Sequence, residues 1–367
     1  MARRPTIKDI ARQAGVSESA VSFALNNRPG VSQDTRARIR QVAEELGWQA
    51  NSAARALSGE QSGAVGLVLA RPAHTLGVES FFLQLVSGIQ EVLAAGRIAL
   101  LFQVVEDIDA ECAVYRRWWA ERRVDGVVVV DPRTDDPRPA LLAQLALPAV
   151  MVGEPGPPGE PGPVGDTGPV GDTGPEGAGG PHPGLSAVRA DDAGAMAQVL
   201  GHLHQLGHRR IAHVAGLPGL AHTERRIRSL RAEAERLGIG PGQVRSVTTD
   251  YSDAEGAEAT RRLLAEDRPP TAIVYDNDVM AVAGVAVASE LGIPVPGRLS
   301  VVAWDDSALC RVTHPRLTAL VRDTAGFGRL AAGELLAVLG GSPPRSRESE
   351  RPRLEPREST APPPAAY

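Results

Sequence analysis

The stretch Thr6–Asn26, TIKDIARQAGVSESAVSFALN, decides how the rest of the chain is read. It predicts two short helices joined by a tight turn. Thr6 is a hydroxyl N-cap with Asp9 three residues on, a variant of the capping box, and Ile7, Ile10, Ala11 and Ala14 then recur at helical spacing. Gly15 ends that helix and Val16 plugs the turn. Ser17 can cap a second helix whose inner side is Ala20, Val21, Ala24 and Leu25, leaving Glu18, Ser19, Ser22, Phe23 and Asn26 facing outward.

Two helices this short cannot bury enough surface alone. A third opens at Val31-Ser32-Gln33-Asp34 and continues to Leu46, with Ala37, Ile39, Val42, Ala43 and Leu46 as its apolar positions. Three helices with a short polar second one fit a helix-turn-helix unit, whose second helix enters the major groove. The spacing alone fits any small helical bundle equally well.

Residue order separates the two readings. TIKDIARQAGVSESAVSFALN, then RPGVSQDTRARI, AEELGW and NSAARAL, closely resembles the N-terminus of the LacI-GalR family of bacterial transcriptional regulators. The resemblance implies double-stranded DNA with a palindromic operator as partner, a homodimer as the binding form, and Thr6, Ser17, Glu18, Ser19, Ser22, Phe23 and Asn26 at the DNA. Phe23 departs from the family, in which many members carry a basic or polar base-reading side chain there. A phenyl ring donates no hydrogen bond, and the contact open to it is a thymine methyl.

The polar, alanine-rich segment between Gly47 and Ser62 reads as a linker, with Asn51 as a possible cap for a marginal helix over residues 52–57. The resemblance implies more: hinge helices that order on the operator, with Ala54 and Leu57 at the minor groove and Leu57 as an apolar wedge between base steps.

Charge agrees with a division of labour. The chain of 367 residues carries a formal charge of −5, but residues 1–60 hold nine basic and six acidic side chains, +3, so the remainder carries −8. A cationic head can approach phosphate while an acidic body stays soluble. Two cysteines, Cys112 and Cys310, are too few for a disulfide framework and lack metal spacing, which points to a reducing cytoplasm. MARRPTIKD has no apolar stretch behind its arginines, and no run of about 18 apolar residues occurs, so neither secretion nor a membrane span is expected.

From Ala64 onward short apolar runs alternate with helical patterns. Strands are expected over residues 64–70, 98–103, 126–131, 147–152, 186–190, 210–215, 246–249, 271–275, 299–304 and 317–321. Ten strands alternating with helices predict two mainly parallel sheets covered on both faces, with a ligand cleft between two lobes beyond the strands' carboxyl ends. An enzyme is not expected: G-x-G-x-x-G after a strand, G-x-x-x-x-G-K-[ST] and G-x-S-x-G are all absent. His202, His204 and His208 fit no common zinc pattern and read as a helix end. Asp276, Asn277, Asp278 and the pair Asp305-Asp306 follow apolar strands directly. By residue type they suit acid-base work, helix capping or hydrogen bonds to sugar hydroxyls.

The body's motifs LGHRRIAHVAG, TAIVYDNDVMAVAG, LGIPVPGRLSVVAWDD and THPRLTAL resemble the LacI-GalR effector-binding core, itself similar to periplasmic sugar-binding proteins. What this implies is a regulator, a repressor of transcription, without a cofactor or metal and controlled by a small effector, a sugar or sugar derivative. Arg226, Asn277 and Asp305 would hold the effector, and Asp278 would cap the next helix. Phe81 and Phe82 would lie in the first-lobe ligand loop, against a sugar ring or in the helix core.

The expected fold is thus an N-terminal all-α helix-turn-helix domain (1–50), a hinge (51–62), and a two-lobed α/β, Rossmann-like effector domain (63–340). Residues 153–184 interrupt that domain with a collagen-like G-x-y tract, in which every third residue from Gly153 to Gly180 is glycine. A triple helix needs three chains, which a two-fold assembly does not bring together, so a solvated loop is the reading preferred over a trimerising element. Residues 341–367, rich in Pro, Arg, Ser and Glu, read as a mostly disordered tail with a possible closing strand near 352–359. The competing function is a sugar-binding protein whose DNA-reading head is weak or vestigial.

Overall fold

The computed structural model describes residues 5–26, 28–48, 61–71, 80–154 and 185–364. They form two units, divided between Ser62 and Gly63. Ala54, Leu57 and residues 155–184 of the glycine tract lie outside the described residues.

The first unit is a helix-turn-helix with a third helix packed on it: α1 Ile7–Ala14, α2 Glu18–Leu25 and α3 Gln33–Glu45. The capping box forms as the sequence implies. Thr6 Oγ1 accepts from Asp9 N, and Asp9 Oδ2 accepts from Thr6 N at 2.9 Å. Gly15 takes a left-handed φ of 68° to end α1, and Ser17 caps α2 by accepting from Ala20 N at 3.2 Å. Ile10, Val21, Ala24 and Ile39 have no exposed surface and fix the three helices to one another.

The second unit holds two six-stranded sheets. The first lobe runs β1 Ala64–Ala70, α4 Ser80–Ala95, β2 Ala99–Val105, α5 Ile108–Ala120, β3 Gly126–Val129, α6 Arg138–Leu145, β4 Ala149–Val152 and β5 Ser186–Arg189. The second runs α7 Asp192–Gln205, β6 Ile211–Ala215, α8 Ala221–Arg236, β7 Val244–Thr248, α9 Asp253–Leu264, β8 Ala272–Tyr275, α10 Asp278–Glu290, β9 Ser300–Ala303, α11 Ala308–Val312 and β10 Thr318–Val321. Then α12 Thr324–Leu339 returns to the first lobe, and β11 Ser346–Glu348 and β12 Arg353–Glu355 add an edge to each sheet. Strand order is β2-β1-β3-β4-β5-β11 in one sheet and β7-β6-β8-β9-β10-β12 in the other. Both sheets therefore wind in the same 2-1-3-4-5 order, whose reversal between the first and third strands is where ligands of such folds bind. Central strands such as Val127, Val128, Val150, Val274 and Val302 are wholly buried, as parallel sheets covered on both faces require.

The chain passes between lobes three times, and the first two passages are the same structure. After β5, Asp192 N donates to Ala190 O across Asp191 (φ −79°, ψ 76°). After β10, Thr324 N donates to Arg322 O across Asp323 (φ −80°, ψ 80°). Each is an inverse γ-turn. Each central aspartate then caps the next helix, Asp191 accepting from Gly194 N and Asp323 from Gly326 N. A Cβ at either glycine would stand 2.3 Å from the capping carboxylate, so the short side chain is a steric requirement of the turn.

The tail departs from the disorder expected of it. Residues 345–364 are built into both lobes, because their hydrogen-bonding groups find partners far away in sequence. Ser359 has no exposed surface; its Oγ donates to Val301 O at 2.6 Å and accepts from Thr318 N at 2.8 Å. The histidines of the α7 end hold the same segment: His202 Nε2 meets Thr360 Oγ1 at 3.0 Å, and His208 Nε2 meets Ala361 O at 2.9 Å. β12 is antiparallel to β10 and stops before Pro356, which has no N–H to continue the ladder. Substituting Ser359 by Ala strands the Thr318 N–H and should lower unfolding free energy by about 1–3 kcal/mol in urea titration, whereas a disordered tail would register no change.

Candidate functional site

The strands of both lobes deliver their carboxyl ends to one cleft. From the first lobe come Arg71 after β1, Asp131 after β3 and Gly153 after β4, with Phe81 and Phe82 opening α4, and Asp192 stands at the crossing between lobes, in the first turn of α7. From the second come His222, Arg225 and Arg226 on α8, Tyr251 after β7, Asp276 after β8, Asp305 after β9 and Arg322 after β10. The free space is about 70 Å³, far below the ~300 Å³ at which small-molecule pockets begin, so a ligand enters only when the lobes part.

Charges in the cleft are paired and stacked. Arg71 Nε donates to Asp131 Oδ2 at 2.6 Å, and its guanidinium lies between the rings of Phe82 and Tyr251, 4.9 and 4.8 Å from their centroids. Arg322 Nε donates to Asp305 Oδ1 at 2.6 Å and lies 4.7 Å over Phe81. Arg226 reaches Asp276 at 3.1 Å and Asp192 at 3.4 Å and covers the Trp304 ring at 4.2 Å. Guanidinium on an aromatic face gains from both the ring quadrupole and exclusion of water. Several of these contacts join the lobes: Arg71 to Tyr251, Arg322 to Phe81, and Arg225 Nη1 to Glu154 O at 3.1 Å. Backbone bonds add to them, with Ala221 N donating to Pro132 O and Thr134 N to Gly219 O.

Burial alone would raise the Asp276 carboxyl, but Arg226 and then His213 outweigh it and hold it well below the ordinary carboxylate range. Burial opposes ionisation of Asp131 and Asp192 in the same way, and Arg71 in one case and Arg226 with Arg225 in the other reverse it. For His222 the balance falls the other way, because the pull of Asp131 and Asp192 is too weak. Burial, then repulsion from Arg226, drives its pKa from 6.5 to about 3, so it is neutral while donating to or accepting from Tyr251 Oη at 2.9 Å.

Asp131 is held in a left-handed conformation, φ 51°, that costs a side-chain-bearing residue free energy. Arg138, 2 % exposed, supports it by donating to Asp131 O and Val130 O, both at 2.8 Å. Arg138 is fixed in turn by Glu111 and Asp136.

Of the effector residues expected from sequence, Phe81, Phe82, Arg226 and Asp305 meet in this cleft. Asn277 and Asp278 do not line it, which corrects the expectation for both. Asn277, not Asp278, is the cap of α10: its Oδ1 accepts from Met280 N at 2.8 Å and its Nδ2 donates to Tyr251 O at 3.0 Å. Asp278 turns inward, with Oδ1 accepting from Val279 N, and burial raises its carboxyl. Asp276, one residue earlier, faces the cleft. Asp276 follows β8 directly and Asp131 comes one residue after the end of β3, each at the end of the third strand of a 2-1-3-4-5 sheet, and that position is the signal by which sequence could have found both. Arg71, Asp192, Tyr251 and Arg322 carry no comparable local mark.

On the first unit, Thr6, Ser17, Glu18, Ser19, Phe23 and Asn26 are exposed and Ser22 partly so. Thr6 and Ser17 spend their hydroxyls on capping, while Glu18, Ser19, Ser22 and Phe23 form the outward side of α2. Phe23 is 39 % exposed, and its ring rests where Gly30 has no Cβ. Among the described residues there is no cluster of metal-ligating side chains and no helix long and apolar enough to cross a membrane.

The neutral His222 gives a pH signature. Between pH 6.5 and about 3 the unfolded chain binds a proton at His222 and the native chain does not, so stability falls as pH falls through this window, by up to about 1.4 kcal/mol per pH unit. His222→Gln should flatten the fall between pH 6 and 5 in denaturant titrations, with a residual slope of the same sign from His202 and His208, whose pKa values burial also lowers.

Comparison with known proteins places both units. Residues 6–51 match the family of bacterial regulatory proteins, lacI family, and residues 200–360 match the periplasmic binding protein-like domain. The HTH-type transcriptional regulator CelR of Thermobifida fusca is 29% identical over 351 residues, covering 92% of this chain and 93% of that one. The crystal structure of a LacI family transcriptional regulator from Bifidobacterium animalis subsp. lactis is 32% identical with a TM-score of 0.68, covering 83% of this chain and all of the other. A complex of the regulator CelR with cellobiose superposes with a TM-score of 0.70 at 26% identity, over 97% of this chain and all of that one. With a helix-turn-helix unit and a two-lobed cleft on one polypeptide, the chain belongs to the lacI family of bacterial regulatory proteins.

Proposed function

We propose that this protein is a sequence-specific transcriptional regulator, a repressor, that binds a palindromic DNA operator as a homodimer and is controlled by a sugar or sugar derivative bound between its lobes. The observation that carries this reading is the union of an exposed, polar second helix in the first unit with a closed cleft of paired arginines, aspartates and aromatic rings in the second. Glu18, Ser19, Ser22 and Phe23 would meet the major groove, and Leu57 would act as the minor-groove wedge. In the cleft, Phe81, Phe82 and Tyr251 offer ring faces to the apolar side of a sugar. Arg71, Asp131, Arg226, Asp276, Asp305 and Arg322 offer hydrogen bonds to its hydroxyls. The cellobiose complex of CelR supports a saccharide as the ligand class.

Control requires that the effector bind the open and closed lobes with different affinity, since a ligand indifferent to the two states shifts nothing. The Arg71–Tyr251 and Arg322–Phe81 contacts exist only while the lobes are closed, and a sugar on those ring faces must displace or rearrange them.

Capture of sheared genomic DNA by the full-length protein, sequenced at low and moderate salt, tests the reading. A palindrome that survives moderate salt is the expected result; a diffuse, salt-labile background would support a sugar-binding protein with a vestigial head. On the captured operator, Leu57→Ala should weaken specific binding by about 2 kcal/mol or more without affecting sugar binding. Asp305→Ala, which frees Arg322, should leave operator affinity intact and abolish the effector response in the same binding assay.

A further inference from the structure

We infer that the first lobe carries its own binding site for DNA backbone phosphate, formed by Arg97, Arg122 and Arg123 around the point where the chain enters that lobe. This rests on the DNA-binding function proposed above. The register of the first sheet sets the three arginines in place. Gly63, just ahead of β1, donates from its N–H to Asp125 Oδ2 at 2.8 Å and accepts at its carbonyl from Ala99 N at 2.9 Å. Asp125 N donates to Ala64 O at 2.8 Å. Arg97 lies two residues before Ala99, and Arg122 and Arg123 lie just before Asp125, so arginine flanks Gly63 on both sides. All three are exposed; Arg123 Nη1 lies 3.6 Å from the exposed Glu121 carboxylate, a solvent-screened pair that a phosphate can replace, and Arg117, which donates to Gln103 Oε1 at 3.0 Å, and the half-exposed Trp119 end α5 beside them.

The backbone carries a second sign. Arg97 follows α4 with φ 54°, and Arg122 follows α5 with φ 51°. Glycine is the residue that ends a helix in this conformation without strain, and the chain uses it after α1, α8 and α10, at Gly15, Gly238 and Gly292. Arginine takes the place twice at the one end of the lobe from which the chain leads to the helix-turn-helix unit. Ala146, after α6, shares the conformation, so strain alone does not mark a site; strain at two cations on either side of Gly63 does. Cations at helix ends also offset the helix dipole, but that accounts for neither the exposed tryptophan nor the arginines clustering in a body that is otherwise acidic.

Guanidinium forks match phosphodiester oxygens, and backbone contacts of this kind hold a duplex without reading its sequence. The site thus adds sequence-independent affinity for a duplex.

The test uses the full-length double variant Arg97→Gly/Arg122→Gly. Glycine suits both backbone positions, so the variant should keep a single cooperative thermal transition, which shows that it is folded. Binding to sheared genomic duplex fragments, measured over a series of KCl concentrations, should lose about tenfold at low salt, and the slope of log K against log salt should become shallower by about 2 per protomer. Arg97→Lys/Arg122→Lys should restore most of the slope. A glycine variant with the wild-type slope and affinity would overturn this site while leaving the function intact. Failure of the wild-type protein to bind any duplex would overturn the function and the site together.

Discussion

Arg226 is the constraint from which the cleft is built. A guanidinium this deeply buried would be prohibitive alone, and it is tolerated because Asp276 and Asp192 stand against it and Trp304 covers its face. The partners come from different places: Asp276 from the strand end of the second sheet, Asp192 from the first turn of the helix that carries the chain between lobes. One cation thereby ties a wall of the cleft to the crossing between lobes. A molecule that competes for Arg226 is coupled to the relative position of the lobes without any further relay.

The other cleft arginines repeat the device more weakly. Arg71 and Arg322 each pair with an aspartate of their own lobe and lay the guanidinium on a ring of the opposite lobe. The ion pair fixes direction and the ring supplies the cross-lobe attraction, which is short-ranged. Closure is therefore held by several small contacts, as suits an equilibrium that a small molecule must be able to tip.

Local chemistry was legible in the sequence. The Thr6–Asp9 capping box, the Ser17 cap and the glycine at the end of α1 concern groups within a few residues of one another, and ten apolar runs located ten strands to within a few residues. Three-dimensional neighbours were not legible. The tail has the composition of a disordered segment, yet Ser359 is ordered by Val301 and Thr318, and Ala361 by His208, partners that no local pattern names. In the run Asp276-Asn277-Asp278 every residue suits both a cap and a ligand site. Only the direction in which the chain leaves β8 decides that Asp276 faces the cleft while Asn277 is spent on α10. Arg138 was invisible for the same reason: its work is on Asp131 and Glu111, and sequence shows only an arginine near a proline.

The paired γ-turns at Asp191 and Asp323 bear on what kind of signal the protein can send. Two identical pivots, each with its aspartate committed to the helix that follows, define a line, and a body hung on a line has one easy rotation. Arg351, from the third passage between the lobes, bonds to Asp191 and ties that strand to the same pivot. Asp192 and Arg322, each next to one pivot, are also cleft residues, so a molecule that bound the cleft would act at the axle and not at the rim. Leverage at the axle is poor but travel at the far edge is long. A small adjustment among side chains there would become a large sweep of one lobe against the other along a single coordinate, an angle and not a shift.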